Sequence, residues 1–288
     1  MSNGTKLRLL FEKAPVLAPF VYDGMMAKMA AASGMQALYC TGGGNSHSRG
    51  FPDVGLITMS EMTDKIRILS ESSDLPIIAD ADTGYGSYAN VRRTVRAYEQ
   101  AGAAALHIED QKWPKSCGYL GTKQVTDRRE AIVKIKAAVD ARTTDIIIIA
   151  RTDALTVLGP DEVEERARGF TEAGADMVFA DGLVTMEDAI DYRKRLNNIP
   201  LLFNNCMGLP MNDLNAAARF QIVIHPGVMM HIQQEITKGM KMLSETGISP
   251  FTGDFRAEIK RAAEIMGAGE HFDLDSYYHN LRVDDSLS

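Results

Sequence analysis

The chain has 288 residues, of which 45% are hydrophobic and 24% are charged, and these values are typical of a globular protein and exclude disorder. The 31 Lys and Arg residues against 38 Asp and Glu give a net charge of −7, which argues against a nucleic-acid-binding protein. The sequence contains no apolar run long enough to cross a membrane, and its start lacks the apolar stretch of a signal peptide. Three scattered cysteines do not form a disulfide framework, so we expect a protein of a reducing compartment with a cytoplasmic location.

Eight short apolar runs alternate with stretches of helical pattern along the chain. The runs are 16–20, 37–40, 76–80, 104–108, 146–149, 177–179, 201–203 and 222–224. Continuous apolar runs are typical of strands that are buried on both faces of a parallel sheet. The sequence therefore predicts eight strands, each followed by a helix.

The stretches between the runs carry helical spacing and helix-end signals. Helices are predicted over 60–70, 90–100, 127–139 and 161–172. Ser60 is the predicted N-cap of the first, and Gly102 is the C-cap signal that ends the second. After the eighth run, we expect two long helices, over 232–245 and 255–266, and then a polar tail.

Eight strand–helix units in about 230 residues predict a (β/α)8 TIM-type barrel, which is an α/β fold. A doubly wound open sheet is the structural alternative. Because no linker or low-complexity segment divides the sequence, we predict a single barrel domain over 1–288 with a C-terminal helical extension from about residue 231. Such an extension often packs on a neighbouring subunit.

Polar side chains gather where the predicted strands end. They are Tyr39, Thr41, Asp80, Asp82, His107, Glu109, Asp110, Arg151, Asp153, Asp181, Asn204, Asn205 and His225. In a barrel all these strand ends meet at one face, where the active sites of such enzymes lie. Taken singly, each residue has a helix cap or a loop position as its alternative interpretation.

The densest group of acids is the segment Asp80-Ala81-Asp82-Thr83-Gly84-Tyr85-Gly86. Acids two residues apart at a strand end point to one side, and Glu109 and Asp110 can approach from the next strand. Clustered carboxylates stay ionised only beside a cation, and oxygen ligands favour Mg²⁺ or Mn²⁺. An EF-hand loop is rejected because Val91 stands where its bidentate glutamate belongs. Capping acids before a helix remain the alternative.

Two more segments indicate chemistry. The glycines of Thr41-Gly42-Gly43-Gly44 free backbone N–H groups to bind an anion, with a flexible loop as the alternative. Cys117 follows Lys112 and Lys115, and nearby cations lower the pKa of a thiol, so we interpret Cys117 as reactive. No zinc-binding motif is present. Of the six histidines, His107 is placed in the site, whereas a structural role is the alternative for His225.

Together these motifs resemble those of the isocitrate lyase/phosphoenolpyruvate mutase superfamily. The resemblance runs from about Arg8 to His231 and is carried by residues 39–43 (YCTGG), 51–55 (FPDVG), 80–86 (DADTGYG), 107–111 (HIEDQ), 115–118 (KSCG) and 150–154 (ARTDA). The cysteine segment is similar to that of the lyase branch. The mutase, phosphonopyruvate hydrolase and oxaloacetate decarboxylase branches lack this pattern.

The resemblance implies a role for each matching residue. The metal residues are Asp82, which would bind Mg²⁺ directly, and Asp53, Asp80 and Glu109, which would hold its water ligands. The predicted substrate-binding residues are Thr41, Gly42, Gly43 and Arg151 for the 2-oxo acid carboxylate, Asp181 and Asn204 in the pocket, and His107 and Gly118. Cys117 would be the general acid and Tyr39 the base.

Two positions depart from the lyase pattern. Asp181 stands where many lyases carry glutamate, which leaves a roomier pocket. Tyr119 stands where lyases usually carry histidine, so a partner for the thiol proton is lost and the activity or its substrate can differ.

The predicted reaction is a metal-dependent retro-aldol cleavage of a 2-hydroxy acid of the methylisocitrate or alkylmalate type. We expect pyruvate rather than glyoxylate as the keto product, because the chain lacks the large insertions of isocitrate lyase. Arg151, Lys115 and backbone N–H groups would stabilise the other fragment, an enediolate, and Cys117 would protonate its carbon. The loop at Gly118 would close during this step and exclude water.

Other functions remain open at this point. They are decarboxylation of oxaloacetate or another 2-oxo acid, phosphonopyruvate chemistry of the mutase and hydrolase branch, and a catalytically silent barrel that binds a small acid or a partner. The cysteine segment argues against the first, and the lack of extra cations over 204–207 argues against the second. We expect a small carboxylate as the substrate, no nucleic-acid or membrane partner, and a homotetramer with exchanged C-terminal helices.

Overall fold

The strands form a closed parallel barrel in this computed structural model, which describes residues 1–117 and 123–283. In chain order, β1 to β8 are Val16–Val21, Leu38–Cys40, Ile77–Asp80, Ala105–Glu109, Ile147–Thr152, Met177–Ala180, Leu201–Asn204 and Ile222–His225. Each strand pairs with the next, and β8 pairs with β1, so the sheet has no edge. The predicted (β/α)8 barrel is confirmed, and the doubly wound open sheet is wrong.

Helices connect and follow the strands. In chain order, α1 to α13 are Asn3–Lys13, Gly24–Ala32, Gly42–Ser48, Met59–Ser72, Tyr88–Ala101, Arg128–Val139, Leu155–Leu158, Pro160–Glu172, Met186–Arg195, Met211–Ala217, Gly227–Thr246, Phe255–Met266 and Ala268–Val283. The predicted polar tail after residue 266 is wrong in part, because α13 continues to Val283. Its aromatic and acidic residues alternate without a single apolar face, so the sequence carried no helical period there.

The barrel interior explains why the strand sequences are apolar throughout. All four isoleucines from Ile146 to Ile149 are buried, as a strand requires when one face packs in the barrel and the other against helices. Ile147 and Ile149 belong to the central cluster, together with Ile78, Leu202 and Leu7 of α1.

The strand register brings polar side chains together at the carboxyl end of the barrel. Asp80 on β3 lies opposite His107 on β4, and Glu109 on β4 lies opposite Arg151 on β5. Because neighbouring parallel strands end at the same face, the acids and the arginine share one rim.

The N-cap of helix α4 lies two residues before the predicted one. Thr58 is its N-cap, and the Oγ1 of Thr58 accepts a bond from the N–H of Glu61 at 3.3 Å. The Glu61 carboxylate in turn accepts from the N–H of Thr58 at 2.7 Å, which completes a capping box. The prediction of Ser60 as the N-cap is therefore wrong: Ser60 lies inside the first turn.

Replacing this cap should destabilise the protein measurably. We expect Thr58→Ala to lower the free energy of unfolding by about 1 kcal/mol, because the first turn of α4 loses its cap acceptor. Ser60→Ala, two residues on, should change it by less than about 0.5 kcal/mol. Urea denaturation of both variants measures the difference, and equal losses would contradict the assignment.

The chain divides into two compact units, Met1–His231 and the residues from Ile232 onward. The first unit holds the whole barrel. In the second unit, the apolar side chains of Phe255, Ile259 and Phe272 are exposed. None of the helices in the described segments is long and apolar enough to cross a membrane. A single domain with a C-terminal extension stays a prediction.

Candidate active site

A cavity of about 620 Å³ opens where the strands of the barrel end. Its wall contains most of the residues that the sequence singled out: Tyr39, Thr41, Gly43, Asp53, Asp80, Lys115, Cys117, Arg151, Asp181 and Asn204. These residues come from six strands and the segments after them. The closed barrel is what brings them together, since they are far apart in the sequence.

Several other predicted residues lie behind this wall. Gly42, Asp82, Glu109 and His107 are buried next to the cavity but do not line it. Gly118 and Tyr119 lie outside the described residues, so the predictions for them stay predictions.

The glycine-rich segment begins a short helix, so the flexible loop is wrong, whereas anion binding by its backbone N–H groups stays a prediction. Thr41 is the N-cap of α3, and its Oγ1 accepts from the N–H of Gly44 at 3.2 Å. The N–H of Gly42 donates to the Oδ2 of Asp80 at 3.2 Å and is therefore already engaged. A Cβ on Gly42 would lie 2.6 Å from that same oxygen, so close approach to Asp80 explains the glycine.

The two acids after β3 are fixed by an unusual backbone. Asp82 has a φ of 45°, in the left-handed region that costs energy for residues other than glycine. The N–H of Asp82 donates to the Oδ1 of Asp80 at 2.9 Å, and its carbonyl oxygen accepts from the N–H of Glu109 at 2.9 Å. These bonds hold the strained turn and fix the Asp82 carboxylate, which is buried.

The ammonium group of Lys115 lies among these acids. It forms an ion pair with Asp53, and it lies 2.8 Å from the Oδ1 of Asp82. Burial opposes the charge of Lys115, but Asp82 and Glu109 outweigh it and raise the pKa of the lysine. Lys115 was predicted to stabilise the substrate fragment, and the structure instead directs its charge to the predicted metal carboxylates.

The acids at this position need more positive charge than the described residues supply. The Oε2 of Glu109 is 3.2 Å from Arg151, whereas its Oε1 is buried with no hydrogen-bond partner among the described residues. Burial raises the pKa of Glu109 well above its ordinary value and that of Asp82 to about 6. A divalent cation would reverse both effects, and carboxylate oxygens are the ligands that Mg²⁺ prefers.

The spacing of the carboxylates bears on how a metal could be held. Within the described segments, no three acidic, histidine or cysteine side chains converge closely enough to ligate one ion directly. The pattern in which Asp82 binds the ion and Asp53, Asp80 and Glu109 hold its water ligands stays a prediction.

Tyr39 and His107 form a buried polar pair. The hydroxyl of Tyr39 is 2.7 Å from the Nε2 of His107 and 3.4 Å from the Oδ2 of Asp80. Burial and Asp80 raise the pKa of Tyr39 well above its ordinary value, and burial lowers the pKa of His107 to about 4. His107 was predicted to bind substrate, but it lies behind Tyr39 and positions its hydroxyl.

Arg151 is held in the cavity wall by acids on neighbouring strands. Its Nε and NH2 donate to the two carboxylate oxygens of Asp153 at 2.9 and 3.0 Å, and the guanidinium lies 5.2 Å from the centre of the Phe179 ring. Lys123, which the sequence analysis missed, lies 2.7 Å from Asp153 and 2.6 Å from Asp181. No motif surrounds Lys123 in the sequence, so only the folded chain reveals these ion pairs.

Asp110 is separate from the acid cluster, although it follows Glu109 directly. Its carboxylate accepts from the Oγ1 of Thr152 at 2.6 Å, from the N–H of Asp153 at 2.9 Å and from Arg166 at 2.9 Å. The expectation that Asp110 approaches the metal position is therefore wrong. Adjacent strand residues point to opposite faces, so Glu109 points inward and Asp110 outward to α8.

Breaking the Asp110–Arg166 ion pair should lower the stability of the folded protein. We expect Arg166→Met to lower the free energy of unfolding by about 3–5 kcal/mol, because an uncompensated carboxylate remains buried. Arg168→Met is the matched control on the same helix, since Arg168 is exposed and its ion pairs with Glu164 and Glu165 contribute less than about 1 kcal/mol. Denaturant titration compares the two, and similar losses would contradict a structural role.

Hydrogen bonds of Ser116 and Cys117 attach the cysteine segment to the barrel. The N–H of Cys117 donates to the carbonyl oxygen of Asp53 at 3.1 Å, and the amide of Gln111 exchanges two hydrogen bonds of 3.0 Å with the backbone of Ser116. Cys117 therefore faces the same cavity as Arg151 from a fixed position. Burial raises the pKa of the Cys40 thiol to about 12, so Cys40 is inert, as expected.

Much of the cavity wall is apolar, a feature that the sequence analysis missed. The apolar side chains that line it are Phe20, Pro52, Phe179, Met207, Ile224, Pro226, Met229 and Met230. Among its described lining residues, the lysines and arginines are Lys115 and Arg151, and both already pair with acids. The Oδ1 of Asn204 is buried with no hydrogen-bond partner among the described residues, so it can accept a bond from a ligand.

Comparison with known proteins agrees with this geometry. The family model of phosphoenolpyruvate phosphomutase matches residues 7–243. A 2,3-dimethylmalate lyase of Eubacterium barkeri is 47% identical over 242 residues, which cover 81% of this chain and 82% of that protein. A 2-methylisocitrate lyase of Aeropyrum pernix is 44% identical over 202 residues, or 70% of this chain and 65% of that protein.

Solved structures have the same fold over nearly the whole chain. A structure of oxaloacetate acetylhydrolase with the inhibitor 3,3-difluorooxalacetate has a TM-score of 0.90 and 33% identity, and the match covers 96% of this chain and 97% of that one. A phosphonopyruvate hydrolase in complex with oxalate and Mg²⁺ has a TM-score of 0.85 and 25% identity, with 96% and 99% covered. With the family match over most of its length, the chain belongs to the phosphoenolpyruvate mutase/isocitrate lyase superfamily.

Proposed function

We propose that this protein is a Mg²⁺-dependent carbon–carbon lyase that cleaves a 2-methyl-3-alkylmalate into pyruvate and a carboxylic acid. For 2,3-dimethylmalate the products are pyruvate and propionate. The observation that carries the proposal is the shared cavity, whose wall contains Cys117, Arg151 and acids of the carboxylate cluster. The identity of 47% to a 2,3-dimethylmalate lyase supports it.

Four acids would hold the metal: Asp82 directly, and Asp53, Asp80 and Glu109 through water. A bound Mg²⁺ would supply positive charge that polarises the substrate's oxygens and lowers the pKa of its 2-hydroxyl group. The raised pKa values of Glu109 and Asp82 support this assignment, because a nearby positive charge would favour the ionised form of both groups. Mn²⁺ is the alternative ion.

The chain's own residues would bind the substrate and move its protons. Arg151, with Thr41 and Gly43 on the facing wall, would bind the carboxylate that becomes part of pyruvate. The hydroxyl proton of the substrate would pass towards Tyr39, with the neutral imidazole of His107 at 2.7 Å as the group that can accept the phenolic proton. The raised pKa keeps Tyr39 a neutral phenol, so it can take up the substrate proton only when it passes its own proton on.

Cleavage breaks the bond between carbons 2 and 3 and leaves an electron pair on carbon 3. Cys117 would donate its thiol proton to that carbon, which gives the carboxylic acid product. Arg151 would stabilise the negative charge that builds up on the departing fragment. Closure of the loop at Gly118 stays a prediction, since that residue lies outside the described segments.

The shape of the cavity favours alkyl groups over a third carboxylate. A tricarboxylate such as 2-methylisocitrate needs another cation, and the lysines and arginines of the described wall are limited to Lys115 and Arg151. The sequence over 118–122 contains no cation either. The methionines and phenylalanines of the cavity wall suit methyl substituents instead. The same shortage of cations argues against a phosphonate substrate.

A substrate panel tests the function directly. We expect pyruvate release from 2,3-dimethylmalate with Mg²⁺, measured by a coupled lactate dehydrogenase assay, and a kcat/KM at least about tenfold above that for 2-methylisocitrate. EDTA should abolish pyruvate release. A preference for 2-methylisocitrate would refute the substrate assignment, and no pyruvate from any substituted malate would refute the lyase.

Hydrolysis of oxaloacetate is a second candidate, because a structure of an oxaloacetate acetylhydrolase covers 96% of this chain with a TM-score of 0.90. The same panel separates the two functions when oxaloacetate is included and oxalate is measured. Oxalate release faster than pyruvate release would favour the hydrolase. Oxaloacetate decarboxylation would instead give pyruvate from oxaloacetate alone.

A homotetramer with exchanged C-terminal helices and a cytoplasmic location belong to the same proposal. The exposed Phe255, Ile259 and Phe272 support an assembly, because apolar side chains grouped on one unit usually pack against another chain.

A further inference from the structure

A second cavity, of about 720 Å³, lies outside the barrel mouth. Its wall is formed by the segment from Gly55 to Ser60, the turn after β3, and side chains of α5 and α6. No described residue lines both this cavity and the one that holds Cys117. It is therefore a separate site, which the proposed reaction does not use.

Two polar side chains in this wall lack hydrogen-bond partners among the described residues. Lys134 on α6 is only 6% exposed as a residue, and no ion pair or hydrogen bond of its ammonium group is found in the described segments. Thr126 is 7% exposed, and its Oγ1 is buried without a hydrogen-bond partner there. Buried polar groups in folded proteins are normally paired, so the Thr126 hydroxyl points to a ligand, and Lys134 places a positive charge on the wall of the same cavity.

The charges around the cavity favour an anion. Lys134 and Arg93 contribute two positive charges, and Glu130 contributes one negative charge. None of these three residues forms an ion pair with another described residue. The net charge of the wall is therefore positive, and a single carboxylate would balance it. Burial also lowers the pKa of Lys134, an effect that a bound anion would reverse.

The remaining wall is apolar. Leu56, Ile57 and Met59 line it, and the indole of Trp113 lies at its side with 59% of the residue exposed. A wall of aliphatic and aromatic groups with a few placed donors is typical of a small-molecule site. Inorganic anions would leave this apolar surface uncovered.

We propose that this cavity binds a small organic monocarboxylate, whose carboxylate accepts hydrogen bonds from Lys134 and Thr126 and whose apolar body packs against Leu56 and Trp113. The proposal goes beyond the lyase function and does not depend on it. The carboxylate of such a ligand would supply the missing hydrogen-bond acceptor for the Lys134 ammonium and the Thr126 hydroxyl.

Binding of 4-fluorobenzoate, followed by ¹⁹F NMR, tests the proposal on the full chain. Excess Mg²⁺ and oxalate are present to fill the barrel mouth. We expect saturable binding that Lys134→Met weakens by at least about tenfold, since a charge-assisted hydrogen bond is lost. Lys136→Met is the matched control: it removes the same charge from the same helix, where Lys136 is exposed and pairs with Asp140. Its affinity should equal that of the wild type.

Two further measurements make the test decisive. Thr126→Val, which keeps the shape of the side chain, should also weaken binding and replaces the lysine variant if that variant does not fold. The neutral 4-fluorobenzyl alcohol should not bind. The proposal is overturned by no saturable binding, by equal affinities of Lys134→Met and Lys136→Met, or by equal binding of the alcohol. Failure of the lyase reaction would leave these comparisons unchanged, because they measure binding alone.

Discussion

Cys117→Ser should lower the turnover of the proposed lyase by about 10²- to 10⁴-fold, the range that a general acid contributes. A serine hydroxyl occupies the same place but is a far weaker acid than a thiol, so protonation of carbon 3 would become limiting. Binding of Mg²⁺ and pyruvate should be unchanged, because Cys117 is not among the acids that would hold the metal. Steady-state rates of pyruvate release and calorimetric titration measure the two properties.

Cys206→Ser is the matched control for this experiment. Cys206 lines the same cavity from the segment after β7, so its substitution makes the same chemical change without removing the proposed acid. We expect it to retain most of the wild-type turnover. Near-normal turnover of Cys117→Ser, or an equal loss in both variants, would remove Cys117 from the mechanism.

The fold could be predicted because burial on both faces leaves a strong signal in the sequence. Strand β5, for example, is apolar at each position from Ile147 to Ala150, and a sheet covered by helices accommodates eight such runs. The barrel then dictates that polar residues after each run meet at one rim. For this reason most of the predicted site residues do line one cavity.

Side-chain partners could not be predicted from the same patterns. Lys123 has no motif around it, and only the folded chain shows that it neutralises Asp153 and Asp181. Glu109 and Asp110 are adjacent and chemically alike, yet they serve different purposes because the strand turns them to opposite faces. That alternation was readable, and it would have assigned Asp110 to the helices.

The glycine-rich segment shows a different limit. Glycines next to a strand end predict freedom of the backbone, but the structure uses them for close packing. A Cβ on Gly44 would lie 2.5 Å from the side chain of Thr41, and a Cβ on Gly42 would meet Asp80. The space needed by a neighbouring side chain, rather than any positive φ, explains these glycines, and sequence alone does not reveal such neighbours.

Substitutions at the proposed metal site should distinguish the carboxylate that would bind Mg²⁺ directly from those that would act through water. Asp82→Asn should reduce the affinity for Mg²⁺ by more than about 100-fold and abolish activity at ordinary metal concentrations, because a direct ligand loses its charge. Asparagine is the informative replacement, since it tolerates the left-handed φ of 45° at this position and alanine would strain the turn.

Asp53→Asn provides the comparison, because Asp53 would act only through water. Residues that orient a metal's ligands typically contribute about 10- to 100-fold in affinity or activity, so this variant should regain turnover when Mg²⁺ is raised. The Asp82 variant should not. Both substitutions remove one negative charge from the surroundings of Lys115, so a general electrostatic effect would weaken Mg²⁺ binding equally in the two variants. Titration of activity against Mg²⁺ therefore decides which acid holds the ion, and full activity of Asp82→Asn in EDTA would refute the metal itself.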